Sequence, residues 1–269
     1  MYRLKLLIAF VFSALIVASC STSPTGRSQM IWKSDAELEA ESARAFNQMR
    51  AGMPLATDRK KIDFVACVAG AVVGVLEPPL SDIEWELAVF DSESVNAFAM
   101  PGGKIGVFTG ILEVTENQDQ LAAVIGHEIA HVTARHSNER ASRASLTGVG
   151  INVAAIILGG GHSGATYTAQ QALGAGAALG ISLPHTRGQE SEADIIGLEY
   201  MANAGFDPRE AVKLWQRMDA TTDKKPAEFI STHPASDTRI EALVSEWPKT
   251  LPLYNKAKEE GRIPNCSKE

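Results

Sequence analysis

His127-Glu128-Ile129-Ala130-His131 places two imidazoles four residues apart, with a carboxylate beside the first. On a helix, residues i and i+4 project from one face, about 6 Å of rise apart, so both rings can converge on one ion. Glu128 then stands off the ligand axis, where it can hold a water and take its proton. An amphipathic helix with two incidental histidines would carry the same letters. The flanks argue against that, because a charged Glu between two histidines in the apolar run Leu121 to Ile129 is costly to bury without a metal or partners.

A catalytic zinc needs a third protein ligand and an open position. The metzincin pattern would require Gly and His at positions 134 and 137, which hold Ala134 and Ser137. Downstream, Glu190-Ser191-Glu192-Ala193-Asp194 sets Glu190 and Asp194 four apart on one helical face. One of these carboxylates can bind metal while the other accepts the remaining N–H of a ligand imidazole. Glu192 points away from both and reads as a solvated surface charge. His185 is a reserve third ligand. His136, five past His131, is rotated off the ligand face and reads as structural or exposed, and His162, after three glycines, reads as exposed.

Four segments in order, VNAFAMPGGKIGVFTG, HEIAH, the E-x-x-x-D within QESEADIIG, and THPASDTRI, together resemble one gluzincin metalloendopeptidase family. It contains the CAAX prenyl endoprotease, the integral heat-shock metalloprotease, and soluble periplasmic lipoproteins and the beta-barrel assembly-enhancing protease. The resemblance spans about Ile83 to Leu243. It implies a zincin-like domain with one zinc per chain, bound by His127, His131 and Glu190, with Asp194 behind them and Glu128 as general base. It also implies that Asn96, Ala97, Phe98 and Ala99 form an edge strand on which extended substrate adds by backbone pairing. His233 and Arg239 would lie near the metal, as oxyanion donors or as a gate. The chain ends soon after THPASDTRI, with no helical-repeat domain following, which sets it apart from the assembly-enhancing protease.

The elements that must position these residues are legible in outline. Ser34-Asp35-Ala36-Glu37 is a capping box opening a helix to about Arg50, and a second helical run covers Thr57 to Leu76. Residues 83–90 alternate as a strand, and Ser94 to Met100 and Lys104 to Thr109 flank the turn Pro101-Gly102-Gly103, giving a small antiparallel sheet. Asn117 to Gln120 caps the helix that carries HEIAH. Arg187 to Asn203 is a helix closed by Gly205, another restarts at Asp207-Pro208, and a last one runs from Ser236 to Trp247, stopped by Pro248. The expected class is mostly α with a small antiparallel sheet. Residues 146–183 are poor in charge and dense in Gly and Ala, and they read as buried or mobile helices in preference to a membrane hairpin.

The first residues read as a targeting segment. Arg3 and Lys5 precede the apolar run Leu6 to Val17, too short to span a bilayer as a stable anchor, and Val17-Ala18-Ser19-Cys20 resembles a lipobox. The expected organisation is a lipoprotein signal at 1–19, a lipidated Cys20 with a flexible tether to residue 33, a metallopeptidase domain at 34–250 and a tail at 251–269. This predicts lipid attachment at the periplasmic face of a bacterial outer membrane. Cys67 and Cys266 are then an even pair, compatible with a disulfide and with two buried thiols.

Composition narrows the function. The 269 residues are 45% hydrophobic, and 25 Lys and Arg against 32 Asp and Glu give a formal charge of -7, against a nonspecific nucleic-acid binder. The expected activity is zinc-dependent endoproteolysis of unfolded or misassembled envelope polypeptides. The alternative is a chaperone-like assembly factor that binds chains and cuts rarely.

Overall fold

The computed structural model describes residues 20–146, 185–220, 228–233 and 238–268. The proposed signal segment, His162 and nearly all of the Gly/Ala-rich stretch lie outside the described residues. Strands β1 (Cys20–Thr22) and β2 (Ser28–Met30) form an antiparallel hairpin. Helices α1 (Asp35–Gly52) and α2 (Arg59–Val73) precede strands β3 (Glu86–Phe90), β4 (Ala97–Met100) and β5 (Lys104–Phe108). Helices α3 (Gln118–Thr133), α4 (His136–Leu146), α5 (Arg187–Asn203), α6 (Arg209–Ala220), α7 (Glu228–Thr232), α8 (Arg239–Ser245) and α9 (Trp247–Glu259) complete the described chain.

Caps set the starts of several helices. Ser34 Oγ accepts from the Glu37 amide at 3.1 Å, and Asn117 Oδ1 accepts from that of Gln120 at 3.0 Å. Thr186 and Gln189 close a reciprocal capping box on α5. Pro248, expected as a stop, instead sits at the first turn of α9, where its missing N–H costs nothing. That helix crosses the expected boundary at residue 250.

The mostly helical class holds, with a three-stranded sheet in the order β3-β5-β4. The β4–β5 pair is the antiparallel hairpin expected at Pro101-Gly102-Gly103, whereas β3 pairs with β5 in parallel, so the sheet is mixed. Alternation distributes its side chains to two layers. Phe90, Phe98, Phe108 and Met100 pack with Leu38 and Phe46 of α1, while Val89, Ala97, Ala99, Ile105 and Val107 pack with α2 and α3. Gly106 is required beneath Phe98, because a Cβ there would stand 2.1 Å from the ring.

The stretch 20–33 is not a free tether. Its hairpin buries Ser23 and Gln29, and Gln29 donates to the Ala134 carbonyl at 2.5 Å. At the other end, Cys67 of α2 and Cys266 are joined by a disulfide, and the Gln118 side chain bonds the backbone of Pro264 and Cys266. Among the described residues no helix is long and apolar enough to cross a membrane.

Candidate active site

Helices α3 and α5 cross at two glycines. A Cβ on Gly126 would stand 2.9 Å from the Gly197 carbonyl oxygen, and one on Gly197 would stand 2.8 Å from the His127 nitrogen. Backbone contact at this point brings the two helices close enough for side chains within about two turns of the glycines to reach a common centre. His127, Glu128 and His131 enter from α3, and Glu190 and Asp194 from α5, all buried.

The donor atoms converge. His127 Nε2 and His131 Nε2 are 3.0 Å apart, and each lies 3.4 Å from one oxygen of Glu190. His233, just past α7, adds a fourth atom, its Nδ1 3.2 Å from His127 Nε2 and 3.1 Å from Glu190 Oε1. Zinc bonds of 2.0–2.1 Å at tetrahedral angles separate ligand atoms by about 3.3 Å, so these four atoms are spaced as a divalent cation requires. The electrostatics agree. Burial opposes charge on His127, but Asp194 and Glu190 outweigh it and lift its pKa to about 9. Burial would raise Glu190, yet His233 and His127 pull it far below the usual carboxylate range. The site thus favours a positive charge at its centre, and a cation can supply it where the ligand imidazoles are neutral. Glu190 Oε2 and Glu128 Oε1 are buried and make no aligned hydrogen bond, with Arg239 Nη1 and His233 Nε2 beside them at 3.2 Å, which fits oxygens that can serve a metal and a water.

Asp194 Oδ1 lies 3.0 Å from His127 Nδ1 and also accepts from Arg239 Nη2 at 2.6 Å. The Arg239 guanidinium lies 3.3 Å above the Trp215 ring and reaches Glu190 Oε2 at 3.2 Å. Burial pushes the pKa of Glu128 up, and the neighbouring His233 and His127 partly offset it. The amide of Ala99 faces this carboxyl group. That follows from register: Phe108 N bonds Asn96 O, so the paired groups alternate along β4 and those of Ala97 and Ala99 turn outward. Asn96 Oδ1 accepts the outward Ala97 N–H at 2.9 Å. The structure therefore brings together every residue expected at the centre and sets β4 on the sheet edge beside it.

Two expectations are corrected. Glu192 is 3% exposed rather than solvated, because the β1–β2 hairpin covers it: Oε1 accepts from Thr25 Oγ1 at 2.8 Å and Oε2 from Arg27 Nε at 3.0 Å. His136 is buried, in keeping with the structural alternative, but it is not turned away from the ligands: its Nδ1 lies 2.7 Å from His131 Nδ1. Extrapolating α3 places it on the wrong face, since the helix stops at Thr133 and Arg135 takes a left-handed φ of 56° that returns the chain. His185 lies tilted against His131, with ring centroids 3.8 Å apart, and its Nδ1 is 3.9 Å from Glu190. It forms a second imidazole group with His131 and His136, but the Arg140 guanidinium bonds it there and opposes a cation. Neither Trp215 nor Arg27 was marked by any local sequence signal.

The sequence model of peptidase family M48 matches residues 65–247. The chain is 42% identical over 172 residues to the mitochondrial metalloendopeptidase OMA1 of Schizosaccharomyces pombe, covering 62% of this chain and 48% of that protein. It is 36% identical over 187 residues to the Saccharomyces cerevisiae protein of the same name, covering 66% and 51%. It is 32% identical over 199 residues to the beta-barrel assembly-enhancing protease of Yersinia pestis, covering 72% and 40%. The chain thus spans about half the length, or less, of these relatives. The mitochondrial names of the two yeast proteins contradict the lipid-anchored, periplasmic outer-membrane location expected from the leader, and that location does not stand.

Proposed function

The chain belongs to peptidase family M48, and from that premise we propose that it is a zinc-dependent metalloendopeptidase acting on unfolded or misassembled polypeptides. One observation carries the reading: the Nε2 atoms of His127 and His131 and the carboxylate of Glu190 converge within 3.0–3.4 Å of one another beside the buried acid Glu128. His127, His131 and Glu190 would hold the zinc, which when bound polarises a peptide carbonyl and acidifies a water.

The remaining steps belong to the chain's own residues. Glu128 accepts the proton of the attacking water and returns it to the leaving amine. Burial prepares it for the first of these transfers, since a raised pKa makes its carboxylate a stronger base toward the water than an exposed one would be. Asp194 holds His127 in the tautomer that turns Nε2 inward, and Arg239 holds Asp194. An extended peptide adds to β4 through the outward groups of Ala97 and Ala99, displacing the Asn96 side chain and passing Glu128. Backbone pairing reads no side chains, which suits clients of varied sequence.

Zinc content and casein cleavage of the wild type, set against Glu128→Gln, test the reading. One zinc per chain with cleavage abolished in the variant is the expected result. Casein binding without cleavage by zinc-loaded wild type would favour the chaperone-like alternative.

A further inference from the structure

The two histidines of the HExxH segment are anchored differently. His127 meets a carboxylate directly, its Nδ1 3.0 Å from Asp194. Among the described residues His131 has no carboxylate at Nδ1; its neighbour there is another imidazole, His136, at 2.7 Å. His131 Nε2 faces the converging donors, so its proton resides on Nδ1, and His136 Nδ1 must accept it. The proton of a neutral His136 is thereby confined to Nε2, which lies 3.1 Å from Glu192 Oε2, an acceptor. Each assignment forces the next. The opposite tautomer of His136 would set two N–H groups against each other.

The far end of this chain is clamped by the N-terminal hairpin. Glu192 accepts from Thr25 N, Thr25 Oγ1 and Arg27 Nε, while the same Arg27 donates to both oxygens of Glu139 at 2.9 and 2.7 Å. Arg27 therefore cannot swing away from Glu192 without breaking a two-point pair on α4.

We propose that His136 and Glu192 are positioning residues that fix the tautomer and ring orientation of His131, with the β1–β2 hairpin holding Glu192 in place. The proposal rests on the metallopeptidase reading of the same site. It gives the hairpin a role in metal binding although none of its residues touches the donor set.

The test is zinc affinity by chelator competition on the full chain, with the fold of each metal-free variant checked by circular dichroism. His136→Phe keeps a ring and removes the acceptor, and it should bind zinc about 10- to 100-fold more weakly. His136→Gln should restore affinity to near the wild-type value, because its amide oxygen accepts from His131 and its amide nitrogen donates to Glu192. A merely structural role would not sort the two variants in that order. A folded His136→Phe that holds zinc as tightly as wild type overturns the proposal alone. Should His136→Phe fail to fold, Glu192→Met, which keeps the length of the side chain and removes the acceptor, carries the test: weakened zinc binding supports the proposal, and unchanged binding overturns it. Wild-type protein that takes up no zinc overturns the proposal together with the reading beneath it.

Discussion

Gly197 of α5 lies against the backbone of His127, so close that a Cβ would stand 2.8 Å from the His127 nitrogen. The contact is between backbones and has no flexible side chain to yield. Gly197→Ala should therefore push α5 from α3, at about 1–3 kcal/mol of stability, and draw Glu190 out of reach of both imidazoles. Gly70, exposed on α2 with nothing within 4 Å of its virtual Cβ, is the contrast, and Gly70→Ala should gain about 0.5–1 kcal/mol. Urea titration and zinc content of the two variants check this; equal behaviour would refute the packing argument.

Glu128 and Glu190 are both buried acids at one centre, but their geometry separates their roles. Glu128→Gln should keep the fold and the metal while turnover falls about 10²- to 10⁴-fold, since a general base is lost and no ligand is. Glu190→Ala should instead lose the metal. Should zinc remain at one per chain in Glu190→Ala, His185, 3.9 Å from Glu190, becomes the better third ligand.

What was legible in the sequence follows from what is local. The i,i+4 pairs His127–His131 and Glu190–Asp194 share a helix turn, and the caps at Ser34 and Asn117 act within three residues, so spacing sufficed. His136 was misplaced because helical extrapolation cannot foresee the left-handed turn at Arg135. Glu192 was misread because its cover, Arg27, lies 165 residues away. The parallel pairing of β3 with β5 and the glycine crossing of α3 and α5 are likewise choices of tertiary packing.

The Arg27 cluster predicts acid sensitivity. Burial raises Glu192, but bonds from Ser23, His136, Thr25 and Arg27 bring it down to about 2, and Glu139 is lowered by Arg27 and Gln189 against its own burial. Carboxylates with depressed folded-state pKa values stabilise the fold fully above their unfolded value near 4.5, and that contribution is lost as pH falls toward the folded value. Urea midpoints should fall between pH 5 and about pH 2, and Arg27→Met should flatten that slope. An unaltered slope in the variant would remove the cluster from the acid response.

The Cys67–Cys266 bond closes a loop of 199 residues and pins the tail against α2 and the start of α3. Opening it releases an unfolded chain of much greater freedom, typically a loss of about 2–5 kcal/mol. Reduction should lower the midpoint of thermal unfolding and expose the tail beyond Gly261 to proteases first. A reduced protein with an unmoved midpoint would show that tail packing alone holds the end of the chain.

His233 is placed to restrain the site. Its ring is stacked between Phe229 and His185, with centroids 4.4 and 4.9 Å away. Nδ1 stands among the metal donors, and Nε2 is 3.2 Å from Glu128 Oε1. In this position the imidazole would compete with a water for a bound metal, and it lies against the acid that would activate that water. A latch and a transition-state donor then have opposite signatures. With a latch, His233→Ala should cleave casein faster than wild type at equal zinc content. With an oxyanion donor, the same variant should fall by about 10²- to 10³-fold with zinc retained. The simultaneous contact with the donor set and with Glu128 favours the latch, because a donor to the substrate oxyanion has no need to occupy the general base. An unchanged rate at full zinc occupancy would defeat both roles.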